Sequence, residues 1–411
     1  RQRGRRADRL SQVSDIVVAY DFLPKLGGAH TWLYQVYRRW HAPVAVFTTC
    51  PDSDPAEAAR ERAFDAGDHG ALTIHRQALR IGELDLLDPR CWRAYARHRA
   101  GIAHLAGAAG RQGGGKTVRL HALRAFPEGI AAYLYRLTHP KRSRLVTYAH
   151  GEEVLVALTS RQLRYLAKRV YAASDLVIAN SENTRQIVQG LCPTARVVCI
   201  HPGVDAGAYV RSPEEVRAYR ARWRWPPETL VVSVLGRMEP RKNHAAVIRA
   251  VSALRAEGLP IALVCGGDGP ERAALEALAR GLDAGDWIRF TGRVAEEEKA
   301  LMYAASDLYA MPAIRHGEMI EGFGIVFLEA AAAGLPAVSG NSGGQREAVL
   351  DGRTGIVVDG TRIEAVVEAI RALASDPPMR ARMGAAARAW AAEHDWRVVT
   401  ARTEAAIAEL A

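Results

Sequence analysis

Glu321-Gly322-Phe323-Gly324-Ile325-Val326-Phe327-Leu328-Glu329 is the stretch on which the reading of this chain turns. It follows an apolar run of strand type, Leu308–Met311, and a polar loop, and it opens into the helical pattern of residues 330–333. Gly322 and Gly324 let the backbone come close to a ligand. A helix start beyond them presents unpaired N–H groups, which suit a phosphate. Glu321 and Glu329 flank this start, and carboxylates there can accept bonds from hydroxyls. Taken alone, the two glutamates read better as the acids of an ordinary helix start, Glu321 near its positive end and Glu329 solvated.

Working outward, the strand–loop–helix alternation repeats along the whole chain. Strands are expected at 16–20, 44–48, 72–75, 144–148, 176–179 and 197–201 in the first half. In the second half they are expected at 230–235, 261–265, 288–291, 308–311, 337–339 and 355–358, with amphipathic stretches between. This implies an α/β protein with parallel sheets covered by helices on both faces. The chain has 411 residues, more than one core usually supports, so two doubly wound domains are expected. Pro202-Gly203 and Pro226-Pro227 punctuate the break. The expected division is a first domain at 1–210, a second at 211–380 and a helical tail at 381–411. Trp390 and Trp396 anchor that tail, which is expected to pack back on the first domain. The Gly-rich stretch 106–115 reads as a mobile loop.

A second constellation lies at 236–243, Gly236-Arg237-Met238-Glu239-Pro240-Arg241-Lys242-Asn243, directly after the strand Leu230–Leu235. Strand ends are where open α/β sheets bind ligands. Arg237 and Lys242 suit a diphosphate and the charge that develops on a leaving group.

These pieces, in this order, resemble the retaining glycosyltransferases of family 4, which have the GT-B fold of two Rossmann-like domains facing a central cleft. The resemblance rests on Gly236-Arg237 with Lys242, Gly266-Gly267-Asp268-Gly269-Pro270, Phe290-Thr291-Gly292-Arg293-Val294, and Glu321 with Glu329. Ser342-Gly343-Gly344 and Asp351-Gly352-Arg353-Thr354-Gly355 complete it. It is dense over 231–358 and sparse in the first half. It implies that Arg237 and Lys242 bind the donor diphosphate, that Glu329 holds the ribose, and that Glu321 holds the transferred sugar. The backbone at Phe323, Gly324, Ile325 and Val326 would assist Glu321. Gly236 would line the site, Arg293 and Val294 would border the base, and 266–270 would shape a wall. In the first half, Gly27-Gly28 is similar to the family's glycine-rich loop near the donor phosphate. His150 before Gly151 is similar to a histidine near the reacting carbon. Asn180-Ser181-Glu182-Asn183-Thr184 also resembles a family segment, although Ser181 as a helix N-cap explains it sufficiently.

The implied reaction moves a sugar from a nucleoside diphosphate sugar to a hydroxyl acceptor, with retention by front-face displacement. The stretches 320–329 and 342–345 look most like the mannosyltransferases of phosphatidylinositol lipids, which makes GDP-mannose the first donor and a glycolipid or polysaccharide precursor the acceptor class. The alternatives are a UDP-sugar transferase with a soluble acceptor and a nucleotide-sugar epimerase of the same fold. A nicotinamide oxidoreductase would need G-x-G-x-x-G after the first strand, and residues 23–30 offer only Gly27-Gly28. No metal is expected. Asp52-Ser53-Asp54 reads as a solvated turn, and Arg237 and Lys242 supply the neutralisation a metal would.

The charge is uneven. The net charge is +10, and residues 1–210 hold 30 Lys/Arg against 18 Asp/Glu. Twelve of those cations lie between Arg90 and Arg144, with Glu128 the single acid and Trp92, Tyr95, Tyr133 and Tyr135 interspersed. That composition suits an anionic membrane surface or a phosphorylated acceptor. Without a nucleic-acid motif it does not point to DNA or RNA. The N-terminal Arg1-Gln2-Arg3-Gly4-Arg5-Arg6 has no apolar signal core behind it and reads as a tail. The five scattered cysteines read as reduced thiols. The expected location is the cytoplasm, peripheral on the inner face of the membrane.

Overall fold

The computed structural model describes residues 13–410 except 26, 51–54, 80–84, 86 and 114–116. Asp52-Ser53-Asp54 and the basic N-terminal tail therefore lie outside the described residues. Two compact units result, one of residues 1–201 with 396–411 and the other of 202–395. The division differs from the expected one at both ends. The boundary falls at 201/202 rather than 210/211, and residues 381–395 stay with the second unit.

The first unit runs β1 (Val13–Val18), α1 (Gly28–Tyr37), β2 (Val44–Thr49), α2 (Pro55–Asp65), β3 (Leu72–Gln77), α3 (Pro89–Gly113), β4 (Thr117–Ala122), α4 (Glu128–Thr138) and β5 (Ser143–Ala149). It continues through α5 (Glu152–Thr159), α6 (Arg161–Ala173), β6 (Leu176–Ala179), α7 (Glu182–Leu191) and β7 (Val197–Cys199). The strands form one parallel sheet in the order β3-β2-β1-β4-β5-β6-β7. Side chains alternate between its faces as the pleat requires. Ile16 and Val18 enter one apolar cluster with α4, while Val17 and Ala19 enter another with α1.

Two expectations fail here. The stretch 106–115 is not a loop as far as Gly113, because α3 runs through it. Strand β4 was not foreseen, because Arg119 and His121 break the apolar pattern of Thr117–Ala122. Both side chains are buried, at 3% and 0% exposure. Register explains how. Asp15 on β1 lies opposite Arg119 on β4. Asp15 accepts from Arg119 Nε at 2.6 Å and Nη2 at 2.9 Å, and it bonds His121 Nε2 at 2.7 Å. His121 Nδ1 meets Tyr37 Oη at 2.7 Å, and Tyr37 meets Tyr148 at 2.9 Å. A buried charge is tolerable only when paired in this way.

The second unit runs α8 (Pro213–Ala221), β8 (Leu230–Leu235), α9 (His244–Ala256), β9 (Ile261–Gly266), α10 (Arg272–Gly281), β10 (Ile288–Gly292), α11 (Glu296–Ala304), β11 (Leu308–Met311) and α12 (Ile325–Ala332). It closes with β12 (Ala337–Gly340), α13 (Gln345–Ala348), β13 (Gly355–Val358), α14 (Ile363–Ser375) and α15 (Pro377–Ala392). Its parallel sheet has the order β10-β9-β8-β11-β12-β13. The final helix, α16 (Trp396–Ala408), belongs to the first unit and packs on α1. Trp396, Val399 and Ile407 are buried there, each contributing roughly 1.5–3 kcal/mol. Glu404 reinforces the contact through His41 at 2.9 Å. Trp390 stays in the second unit, where its Nε1 donates to the Ala348 carbonyl at 3.2 Å.

Candidate active site

In the second sheet the strand order reverses between β8 and β11, and a ligand crevice forms outside the carboxyl ends of such strands. The loop after β8 holds Gly236, Arg237 and Lys242. The loop after β11 leads to Glu321 and α12. The first loop is braced backbone to backbone by 266–269. Gly236 N donates to the Gly266 carbonyl at 3.1 Å, and Met238 N to that of Asp268 at 3.0 Å. Gly267 has φ +117, and a Cβ there would lie 2.0 Å from the Gly236 carbonyl oxygen. Only glycine permits that approach, so the glycines of 266–269 hold the loop in place. Asn243, at φ +58, donates from Nδ2 to the Pro312 and Gly360 carbonyls at 3.0 and 2.8 Å, fixing the turn that presents Lys242.

The charged groups form a chain. Arg237 Nε lies 3.0 Å from Glu239 Oε1, Arg241 Nε 3.3 Å from Glu239 Oε2, and Arg241 Nη1 3.2 Å from Glu321 Oε2. Lys242 Nζ pairs with the same Glu321 oxygen. Burial pushes the Glu321 carboxyl up, but Lys242 and Arg241 outweigh it and hold the group below its ordinary value. Three cations face two carboxylates, which leaves a positive excess for an anionic ligand. The Arg237 side chain is 71% exposed and so free to reach one. Sequence reasoning named Arg237 and Lys242 but missed Arg241 and Glu239, which sit in the same quoted stretch.

Gly324 caps α12 with φ +93 and has no side chain to bond the first N–H groups of the helix. Phe323 contributes backbone only, since its ring is in the core at 1% exposure. The loop 342–345 secures the Glu321 backbone. Gly344 N donates to the Glu321 carbonyl at 2.9 Å, and a Cβ on Gly343, whose φ is +69, would meet that oxygen at 2.3 Å. Gln345, fully buried, bonds Ala313 N, Gly340 N, and the Ala313 and Ser342 carbonyls at 2.7–3.2 Å. It ties the ends of β11 and β12 together, a role that the resemblance of 342–345 did not imply. Arg293 and Val294 follow the edge strand β10, Arg293 exposed and Val294 packed against the core.

Glu329 sits about one turn into α12, counted from Ile325. Lys299 Nζ lies 2.7 Å from its Oε1, and Tyr303 donates to its Oε2 at 3.1 Å. The two glutamates thus have separate cationic partners, which separates their expected effects. Glu321→Gln is expected to raise the KM for donor and lower turnover while free nucleoside diphosphate binds nearly normally. Glu329→Gln is expected to weaken nucleoside diphosphate itself by about 10-fold, the loss of a bond to a charged acceptor. Calorimetry with the free nucleotide separates the two, and the opposite order reverses the assignments.

Within the first unit, His150 follows β5. Its Nε2 lies 2.8 Å from the Leu123 carbonyl, so that nitrogen carries the proton and Nδ1 is left as an acceptor. Burial pushes the ring down to about 3 against the favourable Leu123 bond, with Arg124 and His30 adding to the depression. A neutral His150 can accept from a hydroxyl but not act as a cation. Its backbone N donates to Glu153 at 2.7 Å, and Trp32 packs edge-on at 5.6 Å. Gly27 and Gly28 stand at the start of α1.

The stretch from Arg90 to Arg144 is not one basic face. Arg119 is buried against Asp15, Arg124 pairs with Glu128 at 3.3 Å, and Arg136 with Asp175 at 2.6 Å. Tyr95 and Tyr135 are core residues. Arg93 and Arg97 on α3 are exposed, and α6, outside that stretch, adds exposed Arg161, Arg164, Lys168 and Arg169 beside Tyr165 at 59% exposure.

Two parallel Rossmann-like domains, with a cation–carboxylate chain at the strand-order reversal of the second, define a glycosyltransferase of GT-B architecture. Residues 26–207 match the family described as Glycosyltransferase Family 4, and 215–390 match Glycosyl transferases group 1. The chain belongs to the family 4 glycosyltransferases. It is 36% identical over 263 residues to the GDP-mannose-dependent alpha-(1-6)-phosphatidylinositol monomannoside mannosyltransferase of Mycolicibacterium smegmatis, covering 63% of this chain and 68% of that one. To the D-inositol 3-phosphate glycosyltransferase of Streptomyces avermitilis it is 34% identical, covering 57% and 52%. Its fold is similar to that of the Anabaena protein HepE, solved in complex with UDP. The TM-score is 0.77 at 19% identity, covering 96% of this chain and 100% of that one. The chain is thus a hexosyltransferase.

Proposed function

We propose that this enzyme transfers mannose from GDP-mannose, with retention, to a hydroxyl of an inositol-phosphate-based glycolipid. The observation that carries the reading is the Arg237–Glu239–Arg241–Glu321–Lys242 chain, in a sequence 36% identical to a GDP-mannose-dependent enzyme. The cations would bind the diphosphate and stabilise it as it leaves, without a metal. Glu321 would hold the sugar and Glu329 the ribose, while the leaving phosphate would take the acceptor proton. Gly236, the α12 backbone from Phe323 to Val326, and Arg293-Val294 would complete the donor pocket. Gly27-Gly28 and the neutral His150 would act from the first domain. A UDP-sugar is the second reading for the donor, favoured by the likeness to HepE with UDP.

A thermal-shift panel of nucleotide sugars, followed by mass spectrometry of products with inositol-phosphate acceptors, tests this. The true donor at 100 times its Kd stabilises by about 2.7 kcal/mol. Turnover is expected to survive excess EDTA. Loss that a divalent ion restores would overturn the phosphate-site reading, and conversion of donor without acceptor into an epimer would replace the transferase reading.

A peripheral position on the cytoplasmic face of the membrane is part of the proposal. Among the described residues no helix is long and apolar enough to cross a membrane. The exposed cations of α3 and α6 suit anionic headgroups, at about 1 kcal/mol each near the surface. Binding to anionic but not neutral vesicles is expected, weakened by salt and by reversing Arg93, Arg97, Arg161 and Arg164. Absence of binding at low salt would leave a soluble acceptor.

A further inference from the structure

We propose that the second domain carries a second ligand site, at the amino ends of its strands, and that this site takes a hydroxyl-rich ring bearing one phosphate. It is separate from the donor crevice, and its existence does not depend on which donor or acceptor the enzyme uses.

A cavity of about 360 Å³ lies there, within the size range of small-molecule pockets. Leu230 opens β8, Ile261 opens β9 and Asp307 immediately precedes β11, so three neighbouring strands converge on it. The ends of α8 and α14 and the first turn of α15 contribute Arg220, Ser375 and Arg380. Strand β8 runs 6 residues, from Leu230 at the cavity to Leu235 beside Gly236. At about 3.3 Å per residue, that places the cavity roughly 20 Å from the donor crevice.

The two arginines are fixed with donors to spare. Arg220 Nη2 donates to the Thr229 carbonyl at 2.5 Å and lies 3.4 Å from Asp307 Oδ2. Arg380 Nη1 donates to the Leu373 and Ala374 carbonyls at 2.8 and 3.1 Å. Among the described residues, Nε and Nη1 of Arg220 and Nε and Nη2 of Arg380 have no acceptor. A guanidinium already held by one nitrogen loses little freedom when the rest of its fork takes up a ligand, and two such forks match the oxygens of a phosphate. The acids define the rest of the ligand. Asp307 is already occupied, because its Oδ2 also accepts from Val231 N at 2.7 Å. Glu228 lines the cavity, is exposed, and makes no bond among the described residues. A carboxylate beside an anion site disfavours a bare phosphate but accepts well from hydroxyls. Ser375, also exposed, offers a further hydroxyl, and Leu259 with Pro260 gives an apolar patch for the C–H face of a ring. A phosphate on a hydroxyl-rich ring would satisfy all of these groups, whereas inorganic phosphate would satisfy only the arginines.

The test is calorimetry of glucose 6-phosphate into protein saturated with GDP or UDP, so that the donor crevice is filled. One site is expected, with inorganic phosphate bound about 10-fold more weakly and free glucose giving no heat. Arg220→Gln and Arg380→Gln should each weaken glucose 6-phosphate by about 10-fold or more, the loss of bonds to a charged group. Glu228→Gln should weaken glucose 6-phosphate and leave inorganic phosphate unchanged. Should an arginine variant fail to fold, Ser375→Trp decides, because the exposed position tolerates the ring and the ring would fill the cavity and abolish binding. No heat in the nucleotide-saturated protein, or unchanged affinity in the arginine variants or in Ser375→Trp, overturns the site. Equal affinity for inorganic phosphate and glucose 6-phosphate overturns the hydroxyl-rich ring. Affinity that falls as the nucleotide concentration rises would place the ligand in the donor crevice and overturn the proposal. Binding is read without turnover, so a failure of the transferase reading shows separately, as no product with any donor.

Discussion

Lys242→Ala is expected to lower kcat/KM by about 10²–10³-fold, the size of one charge contact made to a leaving group. Lys242 is the partner nearest to Glu321, and both side chains are 11% exposed. On the proposed reading the substitution removes a phosphate contact, and it loosens the carboxylate assigned to the sugar. Arg241 remains on Glu321 at 3.2 Å and limits the cost to folding. Arg237→Ala serves as the cleaner comparison. At 71% exposure it pairs, among the described residues, with Glu239, so a stability change within about 0.5 kcal/mol is expected, with a rate loss of about 10²-fold. Initial rates and melting curves for both variants decide the matter. Near-normal turnover with an unchanged melting temperature would remove these residues from the site.

The largest effect on stability is expected at Asp15. Asp15→Ala leaves Arg119 buried without its carboxylate, and breaking a buried pair from one side costs about 3–5 kcal/mol. For a unit of this size that corresponds to a fall of roughly 6–20 °C in melting temperature. Burial pushes the Asp15 carboxyl up, yet the bonds and charges of His121 and Arg119 hold it far below its ordinary value. Its stabilisation is therefore fully present above the unfolded value of about 3.9 and is lost as the pH falls below it. Asp15→Asn should be less stable than wild type at pH 7 and should show a shallower loss between about pH 4 and 2. An unchanged acid slope would mean that Asp15 carries no such linkage.

Much of this protein is legible in its sequence, for local reasons. The apolar runs at Leu230–Leu235 and Leu308–Met311 are buried on both faces of a parallel sheet, so they read as strands without any knowledge of their neighbours. The glycine-bearing start of α12 and the loop after β8 announce themselves because a ligand-facing turn needs particular residues at adjacent positions. Where the determinant is a partner distant in sequence, reading fails. Arg119 makes β4 look polar until register sets it opposite Asp15, 104 residues earlier. The Arg90–Arg144 stretch looks like one basic surface until Asp15, Glu128 and Asp175 claim three of its arginines. Gln345 lies in a stretch that carries the family resemblance, yet its role is not readable there, because its four bonds go to backbone at 313, 340 and 342. Helix α16 shows an amphipathic pattern, yet only packing shows that its apolar side belongs to α1, more than 350 residues away. Periodicity and turn chemistry are properties of neighbouring residues, so sequence alone determined the alternating strands and the conformation of the candidate-site loops. Which buried charges are neutralised, and by whom, depends on strand order and register, and only the tertiary structure decided that.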